Sequence, residues 1–430
     1  MESNKKHIVW GVYVNLCRFA LAFVFIFSGF VKGNDPLGFE YKLADYVVAF
    51  GLGDFFPDFI LMPLSVGLSV LEFVLGIYLL LGINRRLASC AVLALMVLMT
   101  PFTLYLALEN PVSDCGCFGD AVQLTNWQTF WKNLLLLAMA VSVFVGCGRI
   151  FRVVTPRIEW LLSSYALIYM LMFVYYNLQH LPVLDFRPYH IGADIREGMK
   201  MPEGEHPPVY ETVFVMEKDG KQVEFSVENY PDTTWTFVSR RTVLREEGYM
   251  PPVHDFSIVC MEDGEDITDK VLSDKGYTFL LVAHHLEDAD DGYIDLVNEL
   301  YDYSRVYGYA FYALTASMDE QIEAWQDCTG AEYPFCNMDD ITLKTIIRDN
   351  PGVVLLKGGV VINKWSQRDI PDEYQLTDAL ERLPEGQLQM ESMAFKVGRI
   401  ALCFLIPLLV ILLVDRILRP KGIDTHDAGE

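Results

Sequence analysis

The sequence lacks an excess of positive charge, and that removes one large class of function at once. Lys and Arg number 33 against 57 Asp and Glu, a formal net charge of −24. Nucleic-acid binding needs a basic footprint, so no nucleic-acid partner is expected. The chain also lacks an internal repeat of solenoid period, which excludes a solenoid, and any low-complexity tract. No cleavable leader is expected either. Lys5 and Lys6 precede an apolar run from Ile8 to Val31. That run exceeds the usual h-region of about 7–15 residues, and no small-x-small cleavage site follows, so it reads as an uncleaved transmembrane helix.

What is present is apolar residue in long runs: 52% of the chain, with a mean hydropathy of +0.25. Six stretches approach the ~20 residues that cross a bilayer. They lie at about 9–31, 60–82, 87–108, 128–146, 158–176 and 397–416. Basic residues at Lys5 and Lys6, Arg85 and Arg86, Arg149, Arg152 and Arg157, and Arg416, Arg419 and Lys421 fall in alternate connections. The positive-inside rule places these in the cytoplasm. The loops 32–59, 109–127 and 177–396 then face outward, and both termini lie inside. The expected location is a bacterial inner membrane, with a soluble domain in the periplasm. Between residues 178 and 395, Asp and Glu outnumber Lys and Arg by more than two to one. The acidity therefore belongs to the soluble segment, where it serves solubility first and a basic partner second.

Two ionisable residues stand inside apolar runs. Arg18 and Glu72 are each about ten residues from the inner end of their helix. At ~1.5 Å per residue they sit at similar depth. A lone charge there is costly, so the sequence predicts an intramembrane pair of Arg18 with Glu72, either structural or part of a proton or ligand path. Pro101 should kink the third span, with the hydroxyls of Thr100 and Thr103 serving freed carbonyls.

The soluble segment changes period along its length. Residues 208–229 alternate around Asp219-Gly220, a hairpin signal. A second hairpin is expected over Phe256–Cys260 and Asp266–Thr268. From about residue 276 strands alternate with helices. Strands are expected at Tyr277–Ala283, Tyr309–Leu314, Val353–Leu356 and Val360–Lys364. Helices are expected at 293–306, 318–325, 341–348 and 373–383. This is α/β with a mixed sheet. The fold class is a multi-domain chain, an all-α transmembrane bundle with an extracytoplasmic α/β domain. The divisions are a four-helix membrane domain (1–150), a fifth helix and linker (151–190), a hairpin-rich segment (191–249), the α/β domain (250–390), and a last transmembrane helix with its tail (391–430).

Nine cysteines are split by this topology. Cys17, Cys90, Cys147 and Cys403 lie in or at the ends of spans, where cysteine acts as a small hydrophobe. Five lie outside: Cys115, Cys117, Cys260, Cys328 and Cys336. An outer compartment is oxidising, and an odd count leaves one thiol free or paired with a partner. Cys115 and Cys117 flank Gly116 in the short loop Asp114-Cys115-Gly116-Cys117-Phe118-Gly119-Asp120. A bend at Gly116 brings two cysteines so spaced within bonding range. The ring is tiny, and strained exposed disulfides are of the labile, catalytic type. Three readings stay open for this pair: redox activity, a static loop staple, and a soft-metal thiolate site. Cys328 and Cys336 enclose a loop with Gly330 and Pro334, and a structural disulfide is expected there. His284-His285 are adjacent and share no face, so no metal site is expected from them.

The first four spans resemble DoxX-like membrane proteins, and more closely their methylamine-utilisation branch, MauE. The matching residues are Arg18; Phe27-Ser28-Gly29-Phe30 with Lys32; Glu72 with Gly76; and Cys115-Gly116-Cys117-Phe118-Gly119. The resemblance covers residues 8–146. It implies a four-helix bundle and, for the MauE branch, a role in disulfide formation or electron transfer for a periplasmic partner. Residues 250–385 resemble the thioredoxin-like fold of the peroxiredoxin and TlpA type. Gly248 to Leu272 matches its opening hairpin, and Asn350-Pro351-Gly352-Val353-Val354 its proline loop and strand. That resemblance implies a cis peptide at Pro351. It also implies a Cys-x-x-Cys after the strand Tyr277–Ala283, where this chain has His284-His285-Leu286-Glu287 instead.

Two functions follow as expectations. One is thiol–disulfide exchange, or electron transfer, through Cys115 and Cys117 with an extracytoplasmic protein partner. An external electron carrier such as a quinone fits it, although no residue marks a cofactor site. The other is a redox-inert membrane-anchored binding or assembly module built on the cysteine-poor thioredoxin-like domain. A transporter with Arg18 and Glu72 lining a path is a weaker fit, because no inverted repeat is visible.

Overall fold

In the computed structural model the described residues are 2–53, 56–112, 114–218, 221–226, 234–246 and 248–418. The Asp219-Gly220 turn and the basic Arg419 and Lys421 lie outside them. The chain divides into two compact units. One comprises Met1–Arg187, Trp365–Ile370 and Met390–Glu430, the other Pro188–Lys364 and Pro371–Gln389.

The first unit is helical. Its elements are α1 (Glu2–Asn34), α2 (Pro36–Ala49), α3 (Leu61–Leu81), α4 (Arg85–Glu109), α5 (Asn126–Val145), α6 (Glu159–Gln179) and, after the second unit, a last helix (Met393–Leu418). All but α2 are long and apolar enough to cross a membrane, making six spans of a multi-pass membrane protein. The helix α2 falls in a stretch read from sequence only as a loop. Asp35 caps it by accepting from the Gly38 N–H, with Pro36 at its first position, the arrangement that starts a helix.

Small residues let α1 and α3 touch. A Cβ on Gly29 would come within 2.5 Å of the Phe73 nitrogen and 2.6 Å of the Ser69 oxygen. Only a residue without a side chain permits that approach. Gly76 in turn lies against Ala22 and Ile26. This register sets Glu72 level with the last turns of α1 and Arg18 level with the far end of α3.

Near the prolines inside spans, hydroxyls donate to backbone carbonyls, although in α4 they do not reach Val97 O, the carbonyl that Pro101 leaves without its N–H. In α4, the Thr100 hydroxyl donates to Met96 O and the Thr103 hydroxyl to Met99 O. In the last helix, Pro407 removes the N–H that would serve Cys403 O. The Tyr165 hydroxyl lies 3.4 Å from that oxygen and donates to Phe404 O at 2.7 Å. Asp415, buried near the end of this helix, accepts from the Thr155 N–H and hydroxyl.

The second unit holds two sheets. After a single turn, α7 (Ile195–Gly198), the strands β1 (Val209–Lys218), β2 (Lys221–Ser226) and β3 (Thr236–Glu246) form an antiparallel sheet in the order β2-β1-β3. Then come β4 (Val259–Cys260), α8 (Thr268–Ser273), β5 (Tyr277–Val282), α9 (Ile294–Tyr307), β6 (Ala310–Thr315), α10 (Asp319–Thr329), β7 (Phe335–Asn337), α11 (Asp340–Ile346), β8 (Gly352–Lys357) and β9 (Val360–Ser366). The six-stranded sheet runs β4-β7-β6-β5-β8-β9. The strand β5 is buried at every position, as a strand covered on both faces must be. It pairs parallel with β6 and antiparallel with β8. A strand, a helix and a parallel strand, followed by a hairpin laid antiparallel beside the first strand, make the thioredoxin-like topology. The Asn350–Pro351 peptide before β8 is cis.

Three local expectations need correction. The second hairpin shrinks to the two residues of β4 and one bridge from Val259 to Asp266. The strand β7 lay unrecognised in a loop. No helix forms over 373–383. There the Tyr303 hydroxyl donates to Asp378 O and the Tyr309 hydroxyl accepts from the Leu380 N–H. Side chains thereby take backbone groups that a helix would have used.

Candidate functional site

The site is the loop between α4 and α5, closed over one end of the bundle. Cys115 and Cys117 have their sulfurs 2.8 Å apart as free thiols. Gly116 between them has φ +62°, and a Cβ there would lie 2.7 Å from the Lys42 side chain. The left-handed backbone and the missing side chain together permit the bend that faces the two sulfurs. The Gly116 N–H donates to the Asp114 carboxylate, which Lys42 of α2 holds at 2.7 Å.

Further groups fix each cysteine's backbone. The Tyr46 hydroxyl of α2 donates to Cys115 O at 2.5 Å. The Ser28 hydroxyl of α1 donates to Cys117 O at 2.8 Å. Phe118 packs on Phe27, and the Lys132 ammonium of α5 lies 4.2 Å from the centre of the Phe118 ring. Three elements of the bundle, α1, α2 and α5, thus converge on a loop of a few residues. No interval in the sequence connects Ser28, Tyr46 and Lys132 to that loop.

Beneath the loop lies a buried ion pair. Lys32, 4% exposed, donates to both carboxylate oxygens of Glu72 at 2.7 and 2.9 Å. This corrects the expected pairing of Arg18 with Glu72. Arg18 instead donates to Phe151 O and Leu80 O, at 2.8 and 3.2 Å, and lies between the rings of Phe19 and Phe151. The reason is register. Helix α1 continues past its apolar run, so counting from that run's edge placed Arg18 at the wrong depth. Lys32, charged near the end of an apolar helix, was the sequence signal for the true partner.

The two thiols differ electrostatically. The hydrogen bond between the two thiols is the largest influence on Cys117 and holds its pKa down, to about 6; burial opposes it, and Lys132 and Lys32 reinforce it. The same hydrogen bond, with burial, pushes the Cys115 thiol upward. The two directions favour the thiolate on Cys117 and the proton on Cys115. A thiolate is the species that attacks a disulfide, so the arrangement provides a nucleophile with a protonated resolving thiol beside it.

The other expected residues are not brought to this loop. Cys336, fully buried on β7, faces Cys260 on β4, while Cys328 is exposed in the last turn of α10. The structure therefore does not join Cys328 to Cys336, because β7 turns Cys336 toward the neighbouring edge strand. Past β5, His284 is buried, and burial lowers its pKa to about 4. His285 lies between Glu287 and Asp340 at 3.4 and 3.3 Å. Among the described residues no group of three or more His, Cys, Asp or Glu is placed to hold a metal.

Loop and bundle together define a helical membrane part bearing a paired-thiol motif, carried on one chain with a thioredoxin-like domain. Residues 10–146 match the family Methylamine utilisation protein MauE. This is less than half of the chain. Residues 210–247, the three-stranded sheet, match a domain of unknown function (DUF8463). No curated protein matches the chain. Among solved structures similar to part of it are two of low identity. One is a candidate protein disulfide isomerase from Bacteroides thetaiotaomicron, solved in solution: 15% identical, covering 28% of this chain and 78% of that one, TM-score 0.23. The other is an uncharacterized conserved protein from Geobacillus kaustophilus: 14% identical, covering 32% and 82%, TM-score 0.24. At these scores neither carries an argument. The thioredoxin-like assignment rests on the order and direction of the strands.

Proposed function

We propose that this is an inner-membrane thiol–disulfide protein whose Cys115 and Cys117 exchange electrons with a protein outside the cytoplasm. The observation that carries the reading is the pair of sulfurs 2.8 Å apart in a glycine bend, held by α1, α2 and α5, with the Cys117 thiol shifted down and the Cys115 thiol up. A static staple would need neither the asymmetry nor the buried Lys32–Glu72 pair under the loop. Burying that pair has a desolvation cost, which a purely structural loop does not explain.

In the exchange, the Cys117 thiolate attacks a partner disulfide and forms a mixed disulfide, releasing one partner thiolate. Cys115 then gives up its proton and attacks the Cys117 sulfur, releasing the second partner thiol. The partner is reduced by two electrons and the loop is oxidised by two; the reverse sequence oxidises the partner. Turnover in either direction needs a two-electron carrier, for which a membrane quinone is the chemical class proposed. The basic residues support cytoplasmic termini, with the loop and the thioredoxin-like domain in the periplasm.

For the thioredoxin-like domain a second reading is favoured by one observation. His284-His285 stand after β5, where the fold's dithiol would lie, so we propose that the domain binds a partner without exchanging thiols itself. The test is exchange with a small disulfide by the purified full-length protein. Cys117→Ser should remove the activity, and His285→Ala should leave it unchanged. Activity that survives Cys117→Ser would overturn the proposal.

A further inference from the structure

We propose that Cys260 and Cys336 form a cross-strand disulfide that fastens the edge strand β4 to the sheet. The strands pair antiparallel with Cys260 directly opposite Cys336. The Met261 N–H, one residue after Cys260, donates to the oxygen of Phe335, one residue before Cys336, at 3.1 Å. Crossed bonds of that kind mark a non-hydrogen-bonded pair. Its Cα atoms stand about 4.5 Å apart with the side chains close, inside the ~4.4–6.8 Å range a disulfide spans. The thiol of Cys260 is also within hydrogen-bonding reach of Cys336.

The surroundings give the bond a purpose. The strand β4 is two residues long and meets the sheet through β7 alone. A tight turn follows it, with the Cys260 N–H donating to Glu265 O and the Gly264 N–H to Cys260 O. So short an edge strand has little backbone pairing to hold it. Cys336 is 0% exposed and Cys260 half-buried, which sets the order of reaction. Burial raises the Cys336 thiol to about 12, so the more accessible Cys260 reacts first. Its thiolate attacks an external protein or glutathione disulfide, making a mixed disulfide and releasing one thiolate. Cys336 then attacks the Cys260 sulfur and displaces the second. Two thiols are oxidised and one external disulfide is reduced, and the two protons pass to the departing thiolates. Cys328 remains the unpaired fifth cysteine.

The inference rests on the periplasmic placement proposed above, since that compartment supplies the oxidant. One arm of the test alkylates thiols in intact cells; the other isolates the full-length protein without alkylation, treats it with glutathione disulfide and then alkylates it, and linked peptides are mapped by mass spectrometry in both. The expected result is a Cys260–Cys336 link in cells, unchanged by Cys328→Ser, with the alkylated form of both cysteines lost. Thiols free in cells that close on each other after glutathione disulfide uphold the pairing and overturn the placement instead. Thiols that stay free in both arms, or a Cys328–Cys336 link, overturn the proposal. Cys260→Ser guards against a folding artefact: the protein should still fold, with Cys336 resistant to alkylation until denaturant is added.

Discussion

The membrane bundle and the thioredoxin-like domain each contain a position where thiol chemistry would be sought, and they fill it differently. After β5 the domain has a buried neutral His284 and a His285 between two carboxylates. At one end of the bundle, two sulfurs 2.8 Å apart lie in a glycine bend, near a Lys32–Glu72 pair buried between helices. The fold famous for redox work has no dithiol at its usual place, while an ordinary helical bundle has one. Chemistry therefore has to be argued from the site and not from the fold.

The sharpest way to break this contrast is to remove the thiols from one side. Cys117→Ser, assayed in detergent or membranes for exchange with a small disulfide, should lower the rate to background. His284→Ala and His285→Ala should leave it unchanged. Equal losses would erase the distinction between the two units.

The next effect is on stability. Glu72→Gln leaves Lys32 buried without its partner, and breaking one side of a buried pair costs about 3–5 kcal/mol. Adding Lys32→Met should recover part of that loss in thermal unfolding. Arg18→Met combined with Glu72→Gln should show additive losses, since Arg18 bonds to backbone carbonyls elsewhere.

A smaller effect follows from the thiolate. Cys117 titrates near pH 6, and only the deprotonated form reacts. The sign is that alkylation is fast above this pH and falls as pH drops through it. About a tenfold loss per unit is expected below pH 6, measured by the rate of iodoacetamide labelling at Cys117 in the reduced protein. Labelling that falls only below about pH 8–9, the range of an ordinary thiol, would mean that Cys115 and the lysines do not activate it.

The smallest effect is at the half-buried Lys42–Asp114 contact. Lys42→Met should cost only about 0.2–1 kcal/mol, the range for exposed pairs, and should slow exchange slightly by loosening the carboxylate that holds the Gly116 N–H.

How much of this was legible depends on the distance over which each feature is specified. The spans are written in local apolar runs, and the six helices follow them closely. The strands β5, β6, β8 and β9 are likewise local. The Cys115-Gly116-Cys117 motif could be read because both sulfurs belong to one bend. Lys32 with Glu72, Ser28 and Tyr46 with the cysteine carbonyls, and Cys260 opposite Cys336 are set by helix register and strand pairing between distant segments. Counting from the edge of the apolar run near residue 9, when α1 starts at Glu2 and Arg18 lies level with Leu80, was enough to misplace Arg18. The helix α2 was signalled by Asp35-Pro36, a cap and a first-turn proline, but that signal was short and lay inside an apparent loop. The missing 373–383 helix fails for another reason: Tyr303 of α9 and Tyr309, just before β6, take its backbone groups.

The central claim is that Cys115 and Cys117 act as one two-electron unit. The most direct measurement treats the reduced full-length protein with glutathione disulfide and counts products by mass spectrometry. The account predicts an internal Cys115–Cys117 bond with two glutathione thiols released for each bond formed. A stable glutathione adduct on Cys117, with Cys115 left as a free thiol, would contradict it.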